Sequence, residues 1–300
     1  MNQKYKLTIA LITMNRAEQL REAVLSCAAS SLPENTQFVI VDNASTDCTE
    51  AVVTELKSAV GYDLVYRKEA ENRGVGGGRN VCFRLSEGEY IYFFDDDAVI
   101  PEAQRDVFFT RAIGFMDANP SVALLTTDID DKVFGRREMA SAKTLAVGGL
   151  KCVFSFHGGS TFARRECFSS PMFMNIMYGN EEIAVSMNVL DRGLRTVYMP
   201  DIYMEHRPIV NKWNGGDKDR LNMQGISNIY AIKKMIYPAV FEPLLYMAYK
   251  KRIKNNGITD KALISEFNGK RKAFMKAHKI GKVSVGTVIT AYKEFGLTVF

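Results

Sequence analysis

Three consecutive carboxylates, Asp95-Asp96-Asp97, follow the apolar run YIYFF at residues 90–94. Carboxylates this close repel one another, and at the end of a buried strand a hard divalent cation, Mg²⁺ or Mn²⁺, relieves the repulsion. In extended backbone Asp95 and Asp97 point one way and Asp96 the other. The first and third are then the expected ligands and Asp96 an orienting neighbour; an acidic, solvated turn is the alternative. A second group is Asn72-Arg73-Gly74-Val75-Gly76-Gly77-Gly78-Arg79-Asn80. Clustered glycines let backbone approach an anion, the helix that follows offers its positive end, and Arg79 adds a charge-assisted contact to phosphate. No GK[ST] follows, so this is not a P-loop. It comes after the third strand, so it is not the dinucleotide fingerprint. Asp42 closes the run FVIV at 38–41, where a carboxylate accepts from a base N–H or a ribose hydroxyl, or else closes an Asx turn.

These groups need elements to position them. LTIALI at 7–12 reads as a buried strand, and Asn15 with Glu18 forms a capping-box pair for a helix with Leu20, Ala23, Val24 and Cys27 inward. FVIV is the second strand, the loop DNASTD follows, and a second helix runs from about Thr46. Strands at 63–66 and 90–94 flank a helix carrying Val81, Cys82 and Leu85. The alternation implies a parallel sheet covered by helices. Ligands in such sheets bind beyond the carboxyl ends of the strands, so TMNR, DNASTD, the glycine segment and DDD converge on one crevice. Further on, strands are expected at 122–126, 151–156 and 195–199, with a flap between the first two. A helix is expected at 181–193, a loop at 207–220, and helices from about 221.

This set of spaced motifs resembles the family 2 glycosyltransferases with the GT-A fold. It is close over residues 7–110, weaker to about 206 and generic beyond 220. The resemblance implies an α/β GT-A fold with a central, mostly parallel sheet flanked by helices and a helical C-terminal extension. It also implies a nucleotide-sugar donor. Thr13, Asn15 and Arg16 then lie around base and ribose, Asp42 at the base, and Asn72, Gly74 and Arg79 near the donor. Asp95 faces the ribose and Asp97 the metal, with Asp96 beside them. Glu182, or its neighbour Glu181, is the expected general base in the segment Asn180-Glu181-Glu182, although Asn180 stands where the family has Gly and Ala184 where it often has an acid. His206 matches a histidine often near the metal. Gly158-Gly159-Ser160 matches a segment lining the acceptor side. Trp213, in a Gly-rich loop, is a candidate to stack on a sugar face or order a lid over the donor, with packing as the alternative, and Asp217, Arg220 and Asn228 are acceptor-side candidates.

The expected reaction is an inverting, metal-dependent transfer from a nucleotide-sugar, UDP by default with dTDP or GDP as options, to a hydroxyl of a glycan or lipid-linked acceptor. Nucleotidyl transfer is the alternative enzyme class, but TMNRAEQL stands where such enzymes carry a Gly-rich basic loop. A non-catalytic nucleotide-sugar-binding protein would leave Glu181, Glu182 and His206 without a purpose. Length divides as a catalytic domain at 1–220, with a nucleotide-sugar half at 1–110 and an acceptor half at 111–220, and a basic helical region at 221–300.

With 300 residues, 47% of them hydrophobic, the chain can bury a sizeable core. Five scattered cysteines with no C-x-x-C pair fit a reducing compartment, and no run reaches 18 apolar residues, so the chain reads as cytoplasmic. The net charge of +5 is uneven: residues 250–282 hold eleven Lys or Arg and two acids. Together with the apolar stretch at 235–249, this makes peripheral contact with a membrane through 235–282 an expectation. No motif supports a nucleic-acid partner.

Overall fold

The computed structural model describes residues 4–133, 135, 139, 141–177, 179–209 and 218–300. The first half follows the alternation expected: β1 (Tyr5–Thr13), α1 (Ala17–Ala28), β2 (Thr36–Asp42), α2 (Thr49–Ala59), β3 (Asp63–Lys68), α3 (Gly74–Leu85) and β4 (Gly88–Asp95). β2 is buried along its whole length, as a strand covered by helices on both faces must be. The strands β3-β2-β1-β4 lie side by side and all parallel.

After a two-residue turn the chain gives β5 (Ala98–Val99), α4 (Phe108–Ala118), β6 (Val122–Asp131), a hairpin of β7 (Ser141–Val147) and β8 (Leu150–Val153), β9 (Ser160–Arg164), α5 (Glu182–Asp191) and β10 (Arg195–His206). The sheet order is β3-β2-β1-β4-β9-β6-β10-β8-β7, with β5 on β10. β9 is antiparallel to both β4 and β6, so the sheet is mixed and only its first half is uniformly parallel. The reason is local. β9 follows the β7–β8 hairpin without a crossover helix, and a parallel return would need one. β6 and β10 also run longer than their apolar cores suggested, because β6 pairs with β10 out to Asp131 and His206.

A cluster of Tyr92, Phe94, Phe108, Phe109 and Phe162 fixes α4 against the sheet centre. Arg164 is buried there, donating to the carbonyls of Met116, Asn119 and Val122 and to the Tyr90 hydroxyl. It thereby adds a cationic donor at the carbonyl end of α4, where the helix dipole favours positive charge. The chain ends in helices α6 (Lys218–Ile236), α7 (Glu242–Asn255), α8 (Lys261–Ala277) and α9 (Val285–Phe295). Pro243 stands in the first turn of α7, where its missing N–H costs nothing. Residues of these helices, Tyr230, Phe267 and Val288 among them, belong to the same apolar core as β1 and α1.

Candidate active site

Parallel register lines up the strand ends. Thr13 sits opposite Asp42, and Ile12 opposite Asp95. β5 pairs with the end of β10, Ala98 opposite His206, which carries Asp97 to His206. One crevice thus collects the loops of the first half and the histidine more than one hundred residues later.

The capping box expected at Asn15 and Glu18 does not form. Asn15 adopts a left-handed backbone (φ 54°) and its side chain turns away from α1. Its Oδ1 accepts from the Thr46 N–H at 2.7 Å, while its own N–H donates to Ser45 Oγ at 2.9 Å. Asp47 Oδ2 receives the Ala17 N–H instead. The two loops therefore brace each other, and a distant residue caps the helix. The second helix likewise begins at Thr49, its N–H held by Asp47 Oδ1.

The glycine segment also departs from the phosphate cradle expected at Gly74. These residues are the first turns of α3, and their leading N–H groups are engaged: Gly74 by Asn72 Oδ1, Val75 by the Met177 carbonyl and Gly76 by the Ile176 carbonyl. A side chain at Gly76 would put its Cβ 1.8 Å from the Met174 carbonyl oxygen. The glycines let the loop backbone at 174–177 press onto the helix, so their close approach is to this chain's own main chain. Asp42 is fully buried, with Ser45 N–H on one oxygen and the Tyr66 hydroxyl on the other. Thr13 is buried beside it, its carbonyl accepting the Asn43 N–H. Asn72, on the surface, spends its amide on Gly74 and Met14.

The three aspartates occupy two environments. Asp96 and Asp97 lie in the turn after β4 and share one Arg16 nitrogen, at 2.8 and 2.7 Å. Arg16 is thus the counter-ion of this pair. Burial pushes the Asp96 carboxyl up to about 7, with Arg16 opposing and Asp97 adding to the shift. For Asp97 burial also raises, but the hydrogen bond from His206 and the charge of Arg16 prevail and hold the carboxyl below its ordinary range. His206 donates to Asp97 Oδ1 at 3.1 Å and to Asp131 Oδ2 at 2.8 Å. Burial alone would lower its pKa, yet the two carboxylates push it up to about 9.

Asp95 also meets Arg79, its Oδ1 lying 3.2 Å from Nη2. Arg79 is buried and gathers three carboxylates: Asp95, Glu181 through a close ion pair, and Glu182 at 3.6 Å. Glu181 is buried and Glu182 one-fifth exposed, which distinguishes them: the first is a counter-ion and the second can meet a ligand. Burial, then the neighbouring Glu181 charge, pushes the Glu182 carboxyl up to about 8, against the pull of Arg79. Gly158 and Gly159 make room for this meeting. A Cβ on Gly158 would fall 2.3 Å from Arg79 Nη1 and 2.5 Å from Glu182 Oε1, and one on Gly159 1.9 Å from Asp95 Oδ2.

One carboxylate oxygen each from Asp95 and Asp97 and one nitrogen of His206 lie within 4.8 Å of one another. Two hard oxygens and an imidazole fit a divalent cation such as Mn²⁺ better than Mg²⁺, which prefers oxygen alone. On ligation His206 would give up the proton it now shares, and Asp131 would orient the ring, as carboxylates do behind metal-bound histidines.

Two functional features escaped sequence reading. Asp131 was hidden in the acidic strand end DIDD, where only long-range pairing with β10 picks it out. The glycine pair was visible, but not its role in seating Asp95 and Glu182. Arg220 pairs with Glu266, and Asn228 donates to the Gly179 carbonyl beside the base segment. Trp213 and Asp217 lie outside the described residues.

Comparison with known proteins agrees with this architecture. The family model described as "Glycosyl transferase family 2" matches residues 8–174. Over 123 residues, 40% of this chain, the sequence is 32% identical to poly(ribitol-phosphate) beta-N-acetylglucosaminyltransferase TarS of Staphylococcus aureus, covering 20% of that protein. Over 170 residues it is 26% identical to abequosyltransferase RfbV of Salmonella typhimurium, covering half of each chain. The chain thus spans a fifth to a half of these relatives. Among solved structures, S. aureus TarS 1–349 in complex with UDP-GlcNAc superposes with a TM-score of 0.64 at 16% identity, over 98% of this chain and 90% of that one. Mannosyltransferase PcManGT from Pyrobaculum calidifontis, in complex with GDP-Man and Mn²⁺, gives 0.59 at 17% identity, over 98% and 85%. At such identities these likenesses speak for the GT-A fold.

Proposed function

The chain belongs to glycosyl transferase family 2, and from that premise we propose that it transfers a sugar from a nucleotide-sugar to an acceptor hydroxyl, with inversion and with Glu182 as general base. The observation that carries the reading is the position of Arg79. It ties the aspartate at the end of β4 to the glutamates at the start of α5, across the two glycines that leave space for both. A donor-side carboxylate and a base carboxylate therefore share one crevice.

In the proposed step the acceptor oxygen attacks the anomeric carbon, and its proton passes to a Glu182 carboxylate oxygen. The bond from the anomeric carbon to the diphosphate oxygen breaks, and the nucleoside diphosphate leaves with the electron pair. A pKa raised toward the working pH suits a group that must accept a proton in the transition state. Arg79 and Glu181 act behind it: Arg79 limits how far the carboxyl rises, and Glu181 keeps it from falling. A divalent cation held by Asp95, Asp97 and His206 would supply charge neutralisation for the departing diphosphate.

UDP-sugars are the first donors to test, since the TarS structure holds UDP-GlcNAc. GDP-sugars follow, since PcManGT holds GDP-Man, and dTDP-sugars complete the set. The acceptor is a hydroxyl of a glycan, a polyol phosphate or a lipid-linked precursor; TarS, by its name, acts on poly(ribitol-phosphate). Residues 1–220 would form the catalytic unit and 221–300 its basic helical companion, working in the cytoplasm. Among the described residues no helix is long and apolar enough to cross a membrane. The direct test is release of free nucleoside diphosphate from a panel of nucleotide-sugars with Mn²⁺. Tight donor binding with neither hydrolysis nor transfer to any acceptor offered would overturn the enzymatic reading.

A further inference from the structure

The surface around α7 is at odds with a protein that meets only water. Leu244 and Met247, three residues apart, share one face of α7, and Val240 stands in the 3₁₀ turn just before it; Val240, Leu244 and Met247 are 68%, 45% and 66% exposed. Leu245 and Tyr249, on the opposite side, are buried, the Tyr249 ring lying 4.9 Å from that of Tyr230 in α6. The same outer face continues with Lys251 and Lys254, and Lys250 stands beside it, its ammonium over the Tyr246 ring. Among the described residues the ion pairs here are Arg220–Glu266, Lys234–Glu242 and Lys270–Glu266, and Lys250, Lys251 and Lys254 are exposed. One face is therefore apolar over its first two turns and cationic over its last two.

We propose that this face docks the protein on an anionic lipid surface, with Val240, Leu244 and Met247 entering the headgroup–acyl boundary and the lysines meeting lipid phosphates. Charge and polarity select this occupant. A second copy using the whole face isologously would press lysines against lysines or against the apolar half. A soluble polyanion would engage the cations but leave the apolar half in water. A bilayer surface satisfies both halves at once. α6 connects the face to the catalytic crevice. Asn228 touches the backbone of Gly179 next to the base segment, and the helix then runs about 12 Å to its end at Ile236, just before the segment that begins the docking face. Docking would hold the crevice beside the membrane plane, where a lipid-linked acceptor would present its hydroxyl.

The test is co-sedimentation of the full chain with vesicles of phosphatidylcholine, with and without 30% phosphatidylglycerol. Binding to the anionic vesicles should exceed binding to the neutral ones by at least tenfold and fall as salt is raised. The double variant Leu244→Glu/Met247→Glu, at exposed positions, should keep the wild-type circular dichroism and lose binding at least tenfold. Lys250→Ser/Lys251→Ser/Lys254→Ser should lose roughly 100-fold, about fivefold per lysine. Absence of binding to anionic vesicles overturns the proposal, as does equal binding by the apolar double variant. Light scattering that shows a dimer at micromolar concentration, split by that variant, would overturn it in favour of a self-interface.

Discussion

Replacing Gly159 by alanine adds one methyl group at the most crowded point of the site. Its Cβ would lie 1.9 Å from Asp95 Oδ2 and 2.0 Å from Asp95 Cγ. Ordinary contact needs about 3.5 Å, so the carboxylate must retreat by about 1.5 Å. The backbone cannot yield, because the Asp95 N–H donates to the Gly159 carbonyl within the β4–β9 pairing. The displacement therefore falls on the Asp95 side chain, which must turn away from Arg79 and from the group it forms with Asp97 and His206. A shift of that size at a reacting centre costs on the order of 100-fold in rate, about 2.7 kcal/mol. Crowding of this kind destabilises by about 1–3 kcal/mol, which leaves a protein of this size folded. The assay is kcat/KM for nucleoside diphosphate release, with Mn²⁺ titrated and thermal melting followed in parallel. Gly269→Ala is the matched control: it lies inside α8 with nothing within 4 Å of the added Cβ. It should raise stability by roughly 0.5–1 kcal/mol and leave turnover untouched. Wild-type turnover and Mn²⁺ dependence in Gly159→Ala would refute the assignment of Asp95 to the site.

Three other perturbations separate the carboxylates. Glu182→Gln removes the proposed proton acceptor and should lower kcat by about 10²–10⁴; near-normal turnover would remove Glu182 from that role. Its stability effect has a definite sign. The folded-state pKa lies above the ordinary value of 4.5, so the protonated form favours folding, and that contribution is lost as pH rises toward about 8. The variant should thus melt higher than the parent at pH 8.5 and about equally at pH 4.5, and the reverse order would contradict the burial argument. Wild-type kcat should rise with pH up to about 8, and Glu181→Gln should move that limb to lower pH, since it removes the like charge that raises Glu182; an unmoved limb would assign the titration elsewhere. Arg16→Ala leaves Asp96 and Asp97 buried without their guanidinium. It should cost about 3–5 kcal/mol, and Mn²⁺ should restore more of the melting temperature in the variant than in the parent. Equal gains in both would show that the cation does not bind beside this pair.

The sequence by itself determined the first half of the sheet and the place of its crevice. Apolar runs such as LTIALI and FVIV have one stable use, as covered parallel strands, and polar residues just after them must gather at one edge. It also picked out Asp95, Asp97 and Arg79, because acids and a guanidinium at element ends have few structural uses that do not involve a partner, while Glu181, Glu182 and His206 stood out only through the resemblance to the family. Local pattern could not decide which of these groups meet. Arg16 and Arg79 are both arginines beside loops, yet one neutralises Asp96 and Asp97 while the other gathers Asp95, Glu181 and Glu182, contacts made across up to a hundred residues of chain. The glycines of 74–78 and 158–159 are equally permissive as sequence. Only the tertiary structure assigns the first set to close packing against 174–177 and the second to the space beside Asp95, Arg79 and Glu182. The physical reason is range. Periodicity and capping act within a few residues, whereas a buried charge takes its meaning from whichever counter-charge the topology brings within a few ångströms.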